Sequence, residues 1–303
     1  MRRPLTHGDD EERATDVVEL AQGTVEYRLQ HRGRATVIVF YGGHMRAGLA
    51  LGEDVFADAD CSVLVPSRPG YGRTPVSTGR SATGFADVTA ALCGRLGIAK
   101  VAAVVGVSGG GPTAVAMAAR HPEIVERLIL QSAVGPLPWP DRRTRLGAQV
   151  IFGPVRERAT WALVRALLVR APDTALRLLL RELTTLPAAE VVAGLRPEDR
   201  ARLTALFSRM RSGHGFVNDL RDLKAGPGPR LPLADVTQPS LVIASRRDGA
   251  VPFTHAQALA AGLEHAELLE SSANSHFIWF GDDWPTVATQ IRGFLSADPA
   301  SAS

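Results

Sequence analysis

Ser108 lies in GVSGGGP, where an apolar run gives way to alanine-rich helical sequence. The pattern Gly106-x-Ser108-x-Gly110 suits a serine on a sharp strand-to-helix turn, because residues two places before and after must be small to avoid collision. A chain with 29 glycines could also carry a phosphate-binding turn there, since a helix N-terminus attracts anions. No lysine follows as in a P-loop, and GVSGGG is not GxGxxG, so the sequence favours a nucleophile. A serine hydroxyl attacks only when a base removes its proton.

Eight histidines compete for that role. His7 and His31 lie in the charged lead and near a turn, and His121 ends the helix after Ser108. His255 and His265 fall in an expected surface helix and the loop after it. His44 and His214 sit in glycine-rich loops that could line a pocket. His276, in SSANSHFIWF, follows the strand-like AELLES in a small polar loop, just before a final helix beginning near Asp283. It is the expected base, the alternative being an ordinary loop histidine. The base needs an acid to fix its tautomer. Asp248, in LVIASRRDGAVP, stands just past an apolar strand and has no rival carboxylate in LQSAVGPLPW. Read alone, an aspartate before glycine is also a common turn former.

An oxyanion needs convergent backbone donors. Gly109 directly follows the serine, and IVFYGGHMRAG places Gly42 and Gly43 after an early strand. The amides of Gly43 and Gly109 are the expected pair, a plain flexible turn being the alternative. Gly42, His44, Trp139, Trp161 and Phe277 are candidate pocket-lining residues, although tryptophan more often packs a core.

These residues must be held by elements with one common edge. ATVIVF (35–40), CSVLVP (61–66), VAAVVGV (101–107), RLILQSA (127–133) and SLVIAS (240–245) are nearly continuous aliphatic runs, as in strands covered on both faces. TVEYRLQHRG alternates and reads as a half-buried edge strand. Helical spacing separates the runs, so the fold class is α/β, with a mostly parallel central sheet flanked by helices. From residue 135 to 234 strands are absent, and proline-punctuated helical segments predict an inserted helical cap. In PEDRARLTALFSRMRSG the residues Leu203, Leu206, Phe207 and Met210 form one apolar face. The core is then discontinuous, 1–134 and 235–303, with 1–16 and 297–303 expected to be disordered.

The motifs FYGG, SRPGYGRT (67–74), GVSGGGP, SRRDGAVP and NSHF together resemble the α/β-hydrolase superfamily. The likeness is to its capped serine hydrolases: esterases, C–C bond hydrolases and proline iminopeptidase-like enzymes. It covers roughly residues 24–134 and 235–296. The order Ser108, Asp248, His276 is that of the superfamily's triad. Tyr41 departs from the pattern, standing where the superfamily usually has a histidine. Ser108 argues against the dehalogenase and epoxide-hydrolase branches, whose nucleophile is an aspartate.

The resemblance implies hydrolysis of a small to medium acyl compound, most simply a carboxylic ester. C–C cleavage or aminopeptidase chemistry with the same triad is an alternative, the latter needing a carboxylate such as Glu157, Glu182 or Glu190 near the site. A non-catalytic ligand-binding protein on the same scaffold is a further one. The arginines of the cap (Arg142, Arg143, Arg145, Arg156, Arg158, Arg165, Arg170, Arg177 and Arg181) suit solvated helix faces better than an acidic substrate. WALVRALLVRA is a basic amphipathic segment for which interfacial lipid binding is an alternative, the expectation being no membrane partner.

A net charge of +3 with dispersed arginines and few aromatics excludes a nucleic-acid partner from the expectation. The two cysteines, Cys61 and Cys93, suit buried apolar positions rather than a disulfide framework or zinc site. The lead lacks the apolar stretch of a signal peptide, and no apolar run reaches membrane-spanning length. The expectation is a cytoplasmic enzyme without metal or cofactor, monomeric or homodimeric, acting on a small-molecule acyl substrate.

Overall fold

The structure, a computed structural model, describes residues 12–140, 152–153, 156–223 and 231–297. Eight strands form one sheet: β1 (Asp16–Leu20), β2 (Gly23–Gln30), β3 (Ala35–Phe40), β4 (Cys61–Pro66), β5 (Ala103–Val107), β6 (Leu128–Gln131), β7 (Ser240–Ser245) and β8 (Ala266–Ser271). Their order is β1-β2-β4-β3-β5-β6-β7-β8. The first two strands pair antiparallel and β3 to β8 are parallel.

The apolar runs read as two-sided strands are buried on both faces. Val37, Val39, Val63, Val65 and Val105 enter one core, while Ile38, Phe40, Leu64 and Val104 enter the other. Against the first core pack α1 (Asp54–Asp58) and the C-terminal α10 (Trp284–Ser296). Against the second pack α2 (Ala82–Arg95), α3 (Gly111–Arg120) and α9 (Phe253–Gly262).

Among the described residues five helices lie between β6 and β7: α4 (Glu157–Arg170), α5 (Pro172–Leu180), α6 (Ala188–Gly194), α7 (Pro197–Arg209) and α8 (Gly215–Asp222). Three begin with proline or follow it directly, as a missing N–H permits. On α7 the stripe Leu203, Leu206 and Phe207 is buried, together with Met210 just beyond it. These residues and Trp161, Leu168 and Leu176 belong to the same apolar cluster as the strands. The insertion therefore packs directly on one sheet face.

Two expectations about the N-terminal region are corrected. The segment TVEYRLQHRG is not the sheet edge, because β1 lies outside it. Residues 12–16 are also not a loose lead. Arg13 donates to Glu53 and Gln30 at 2.8 Å, and its amide bonds the Gly48 carbonyl. Charge in the lead masked the pairing, since Arg13 finds its carboxylate 40 residues away. Residues 1–11 and 298–303 lie outside the described residues, as do Arg142, Arg143 and Arg145. Both cysteines are buried and free, and burial pushes the Cys93 thiol up to about 12. Among the described residues no helix is long and apolar enough to cross a membrane.

Candidate active site

The chain runs from β3 outward to β4 and then back to β5 on the other side of β3. The adjacent C-terminal ends of β3 and β5 are thus a topological switch point, where loops diverge and leave a crevice. Gly42 and Gly43 follow β3, Ser108 follows β5, Asp248 follows β7 and His276 follows β8. Parallel strands place all four loops at one edge of the sheet.

Ser108 has φ of 51°, a left-handed conformation that costs a non-glycine residue energy and turns its side chain out of the strand path. It is partly exposed between buried glycines. The clearance is close. A Cβ on Gly106 would lie 2.7 Å from the Gly111 Cα, and one on Gly42 would lie 2.6 Å from the Ser108 Cβ. The amide nitrogen of Gly43 is 3.8 Å from the position a Cβ would take on Gly109. Both expected donors therefore flank the serine.

His276 Nδ1 donates to Asp248 Oδ2 at 2.7 Å. The other carboxylate oxygen accepts the amides of Ala250 and Val251, both at 2.8 Å, so Asp248 is held from two sides. Both side chains are buried. With its Nδ1 proton committed to Asp248, the imidazole keeps Nε2 as its accepting nitrogen.

The expected pocket residues divide. His44 and Trp161 join a ring cluster with Phe152 and Phe216, with His44 centroid distances of 4.6, 5.3 and 4.2 Å to Phe152, Trp161 and Phe216. Phe216 touches the oxyanion loop, since a Cβ on Gly43 would be 3.0 Å from its ring. Burial drops the His44 pKa to about 3, so this imidazole is neutral. Ser212 Oγ accepts from Trp161 Nε1 at 2.9 Å and contacts His44 Nδ1 at 2.8 Å. Phe277 packs edge-on to Phe207 and Phe280, whose neighbours Leu206, Trp279 and Trp284 line a cleft of about 80 Å³. Trp139 does not join either group. It packs on Val134, Leu223 and Val251 and donates to the Ala250 carbonyl at 2.7 Å, bracing the acid loop.

His255 is not on the surface as expected. It is buried, its Nδ1 accepts the Gly135 amide at 3.0 Å, and burial lowers its pKa. The helix FTHAQALAAG is apolar nearly all round, so its sequence does not say which side faces the sheet. Among the carboxylates considered for an amine site, Glu182 and Glu190 are exposed. Glu157 is buried and accepts the amides of Ser212 at 2.9 Å and Gly213 at 3.4 Å. Arg156, Arg158, Arg170, Arg177 and Arg181 point to solvent.

The sequence missed a buried pair beneath the oxyanion loop. Arg68 forms a bidentate pair with Asp219 at 2.7 Å on both arms, and its Nε donates to the Tyr41 carbonyl at 2.6 Å. Burial opposes the Arg68 charge, but facing Asp219 outweighs it and raises the pKa. Tyr71 donates to the same carboxylate at 2.6 Å, and burial followed by that charge raises its pKa well above the usual value. SRPGYGRT hinted at structure here. Nothing in it pointed to a partner 151 residues away. Tyr41, the departure from the usual histidine, donates to Glu53 at 2.5 Å, and Glu53 pairs with buried Arg28. Among the described residues no group of three His, Cys, Asp or Glu side chains could hold a metal ion.

Comparison with known proteins gives a family match, described as the alpha/beta hydrolase fold, over residues 42–283. An uncharacterized hydrolase, YcgS, of Bacillus subtilis (strain 168) is 30% identical, over 94% of this chain and 99% of its own. A 2-hydroxy-6-oxononadienedioate/2-hydroxy-6-oxononatrienedioate hydrolase of Paraburkholderia phymatum is 28% identical, over 88% of this chain and 90% of its own. Among solved structures, an alpha/beta hydrolase fold protein from Nakamurella multipartita superposes with a TM-score of 0.78 at 24% identity, covering 93% of this chain and 99% of its own. The enol-lactonase from Burkholderia xenovorans LB400 gives 0.69 at 19%, covering 93% and 100%.

Proposed function

Because the chain belongs to the alpha/beta hydrolase family, we propose that it is a serine hydrolase cleaving a small to medium acyl compound, most simply a carboxylic ester. The observation that carries this reading is the 2.7 Å Asp248–His276 pair, buried at the same sheet edge as a positive-φ Ser108. In this mechanism Ser108 Oγ attacks the carbonyl carbon while its proton passes to His276 Nε2. Asp248 holds the imidazole by its Nδ1–H and stabilises the imidazolium. The amides of Gly43 and Gly109 take the oxyanion charge, which develops only as the tetrahedral centre forms. His276 returns the proton to the departing alkoxide, giving an acyl-enzyme on Ser108. It then deprotonates a water that attacks this ester, and the acid leaves with Ser108 regenerated.

The insertion, residues 135–234, acts in this reading as the cap that bounds the acyl site. Phe216 and the His44 cluster beside Gly43 leave an aromatic, uncharged wall near the oxyanion, which suits an apolar acyl group. The Paraburkholderia phymatum relative supports a second reading, in which the same residues hydrolyse a 2-hydroxy-6-oxo-dienedioate. Parallel assays of short p-nitrophenyl esters, lactones and such an oxo acid separate the two.

The deciding test is Ser108→Ala. It is expected to abolish both ester turnover and labelling by a fluorophosphonate probe. Undiminished labelling of the variant would remove Ser108 as the nucleophile.

A further inference from the structure

Between α5 and α6 the insertion sends a short segment, residues 183–185, across both loops that carry the acid and the base. The His276 amide donates to the Leu183 carbonyl at 2.7 Å. Thr184 Oγ1 donates to the Asn274 carbonyl at 2.6 Å and accepts the Leu186 amide at 3.0 Å. The Thr185 amide donates to the Arg247 carbonyl at 3.0 Å. Thr184 and Asp248 themselves form an isolated antiparallel bridge.

The approach is close enough to dictate sequence. A Cβ on Gly249 would lie 2.7 Å from the Thr184 carbonyl oxygen, so the acid loop can pass under this segment only as glycine. On its opposite side the base loop is tied to the sheet, where Ser132 Oγ donates to the His276 carbonyl at 2.9 Å.

The β7–β8 ladder ends at Ser245–Ser271, before either Asp248 or His276 is reached. Beyond that point no strand pairing fixes the distance between the two loops. The segment from the insertion supplies the missing ladder, bonding residue 247 and facing residue 248 on one loop and bonding 274 and 276 on the other. Thr184 is buried and its hydroxyl both donates and accepts. Removing it would leave the Asn274 carbonyl and the Leu186 amide without that partner, and such losses are relieved by loop movement.

We propose that residues 183–185 are a strap by which the insertion sets the spacing of the acid and base loops, with Thr184 as its positioning residue. The inference rests on the serine-hydrolase reading above. It makes the insertion part of the proton-transfer apparatus as well as a wall of the acyl site. A small displacement of a base from the nucleophile is costly, about 100-fold in rate for roughly 1 Å.

The test compares full-length wild type, Thr184→Val, which keeps the shape and loses the hydroxyl, and Thr184→Ser, which keeps the hydroxyl. Three quantities are read: the rate of fluorophosphonate labelling, kcat and KM on a short ester, and the downfield proton resonance of the His276–Asp248 hydrogen bond. Thr184→Val is expected to slow labelling about 10- to 100-fold, with kcat reduced more than KM is raised. The downfield resonance should broaden or shift, and Thr184→Ser should restore both. A valine variant that labels at the wild-type rate with an unchanged resonance overturns the proposal, whatever its melting temperature. If that variant does not fold, Thr185→Pro removes the amide bond to Arg247 at an exposed position and also restricts the Thr184 backbone, and an unchanged rate and resonance there overturns it equally. Wild type that resists labelling altogether overturns the hydrolase reading instead, while the resonance still reports whether the strap holds the pair.

Discussion

His44 shows how burial alone decides the chemistry of a residue. Its ring packs against Phe152, Trp161 and Phe216, and desolvation of the charged form lowers its pKa to about 3. The unfolded chain keeps an ordinary histidine near 6.5, so it binds a proton the folded protein refuses. The stability contributed by neutral His44 is therefore complete above pH 6.5 and is lost as pH falls from there toward 3. At pH 5 the loss is about 2 kcal/mol. His44→Asn tolerates the left-handed φ of 66° and carries no titrating ring. Its melting temperature should drop less between pH 7 and pH 5 than that of wild type in thermal scans. Equal drops would show that His44 is not the protonated group. His255, also depressed by burial, leaves some acid sensitivity in the variant.

Among elements, the β5–turn–α3 unit is the one whose sequence predicted its geometry most fully. An aliphatic strand, three small residues and an early proline leave the chain one compact way to turn. Glycine at 110 is demanded by its neighbour in the sheet, because a Cβ there would lie 2.0 Å from the Phe40 carbonyl oxygen at the end of β3. Gly110→Ala must therefore push two strand ends apart, at a cost of roughly 1–3 kcal/mol in urea unfolding. A variant as stable as wild type would mean that the turn yields more easily than its packing implies. The edge position assigned to β2 was wrong for an equally local reason. Alternation in TVEYRLQH identifies a half-buried strand, but DVVEL, whose adjacent valines blur the pattern, pairs outside it with only Val18 and Leu20 turned to the core. Helix α8 was not singled out from sequence, although it carries both Phe216 and Asp219.

Across the whole molecule, the insertion is joined to the sheet by shared core and by buried polar contacts. Trp161, Leu176 and Leu203 enter the same cluster as Val37 and Val105. Asp219 reaches from α8 to Arg68 in the loop after β4, and that guanidinium also holds the Tyr41 carbonyl of the oxyanion loop. Asp219→Ala leaves the arginine charge buried and uncompensated, which costs about 3–5 kcal/mol. Chemical denaturation should show this loss, and ester turnover should fall with it as the oxyanion loop loses its support. Full stability in the variant would mean that water solvates Arg68 once the carboxylate is gone.

The sequence by itself determined the α/β class, the parallel strands and the loops that carry Ser108, Asp248 and His276. Strand burial, turn chemistry and residue order are local properties, written in consecutive residues. Only the tertiary structure decided which side chains meet across long separations. Arg68 with Asp219, Ser212 with His44, and Thr184 with the acid and base loops leave no local trace, because any buried arginine or threonine could be satisfied in many ways. Trp139 and His255 illustrate the same limit. Their residue types allowed a pocket wall or a surface helix, and the packing of neighbouring segments placed one beside the acid loop and the other in the core.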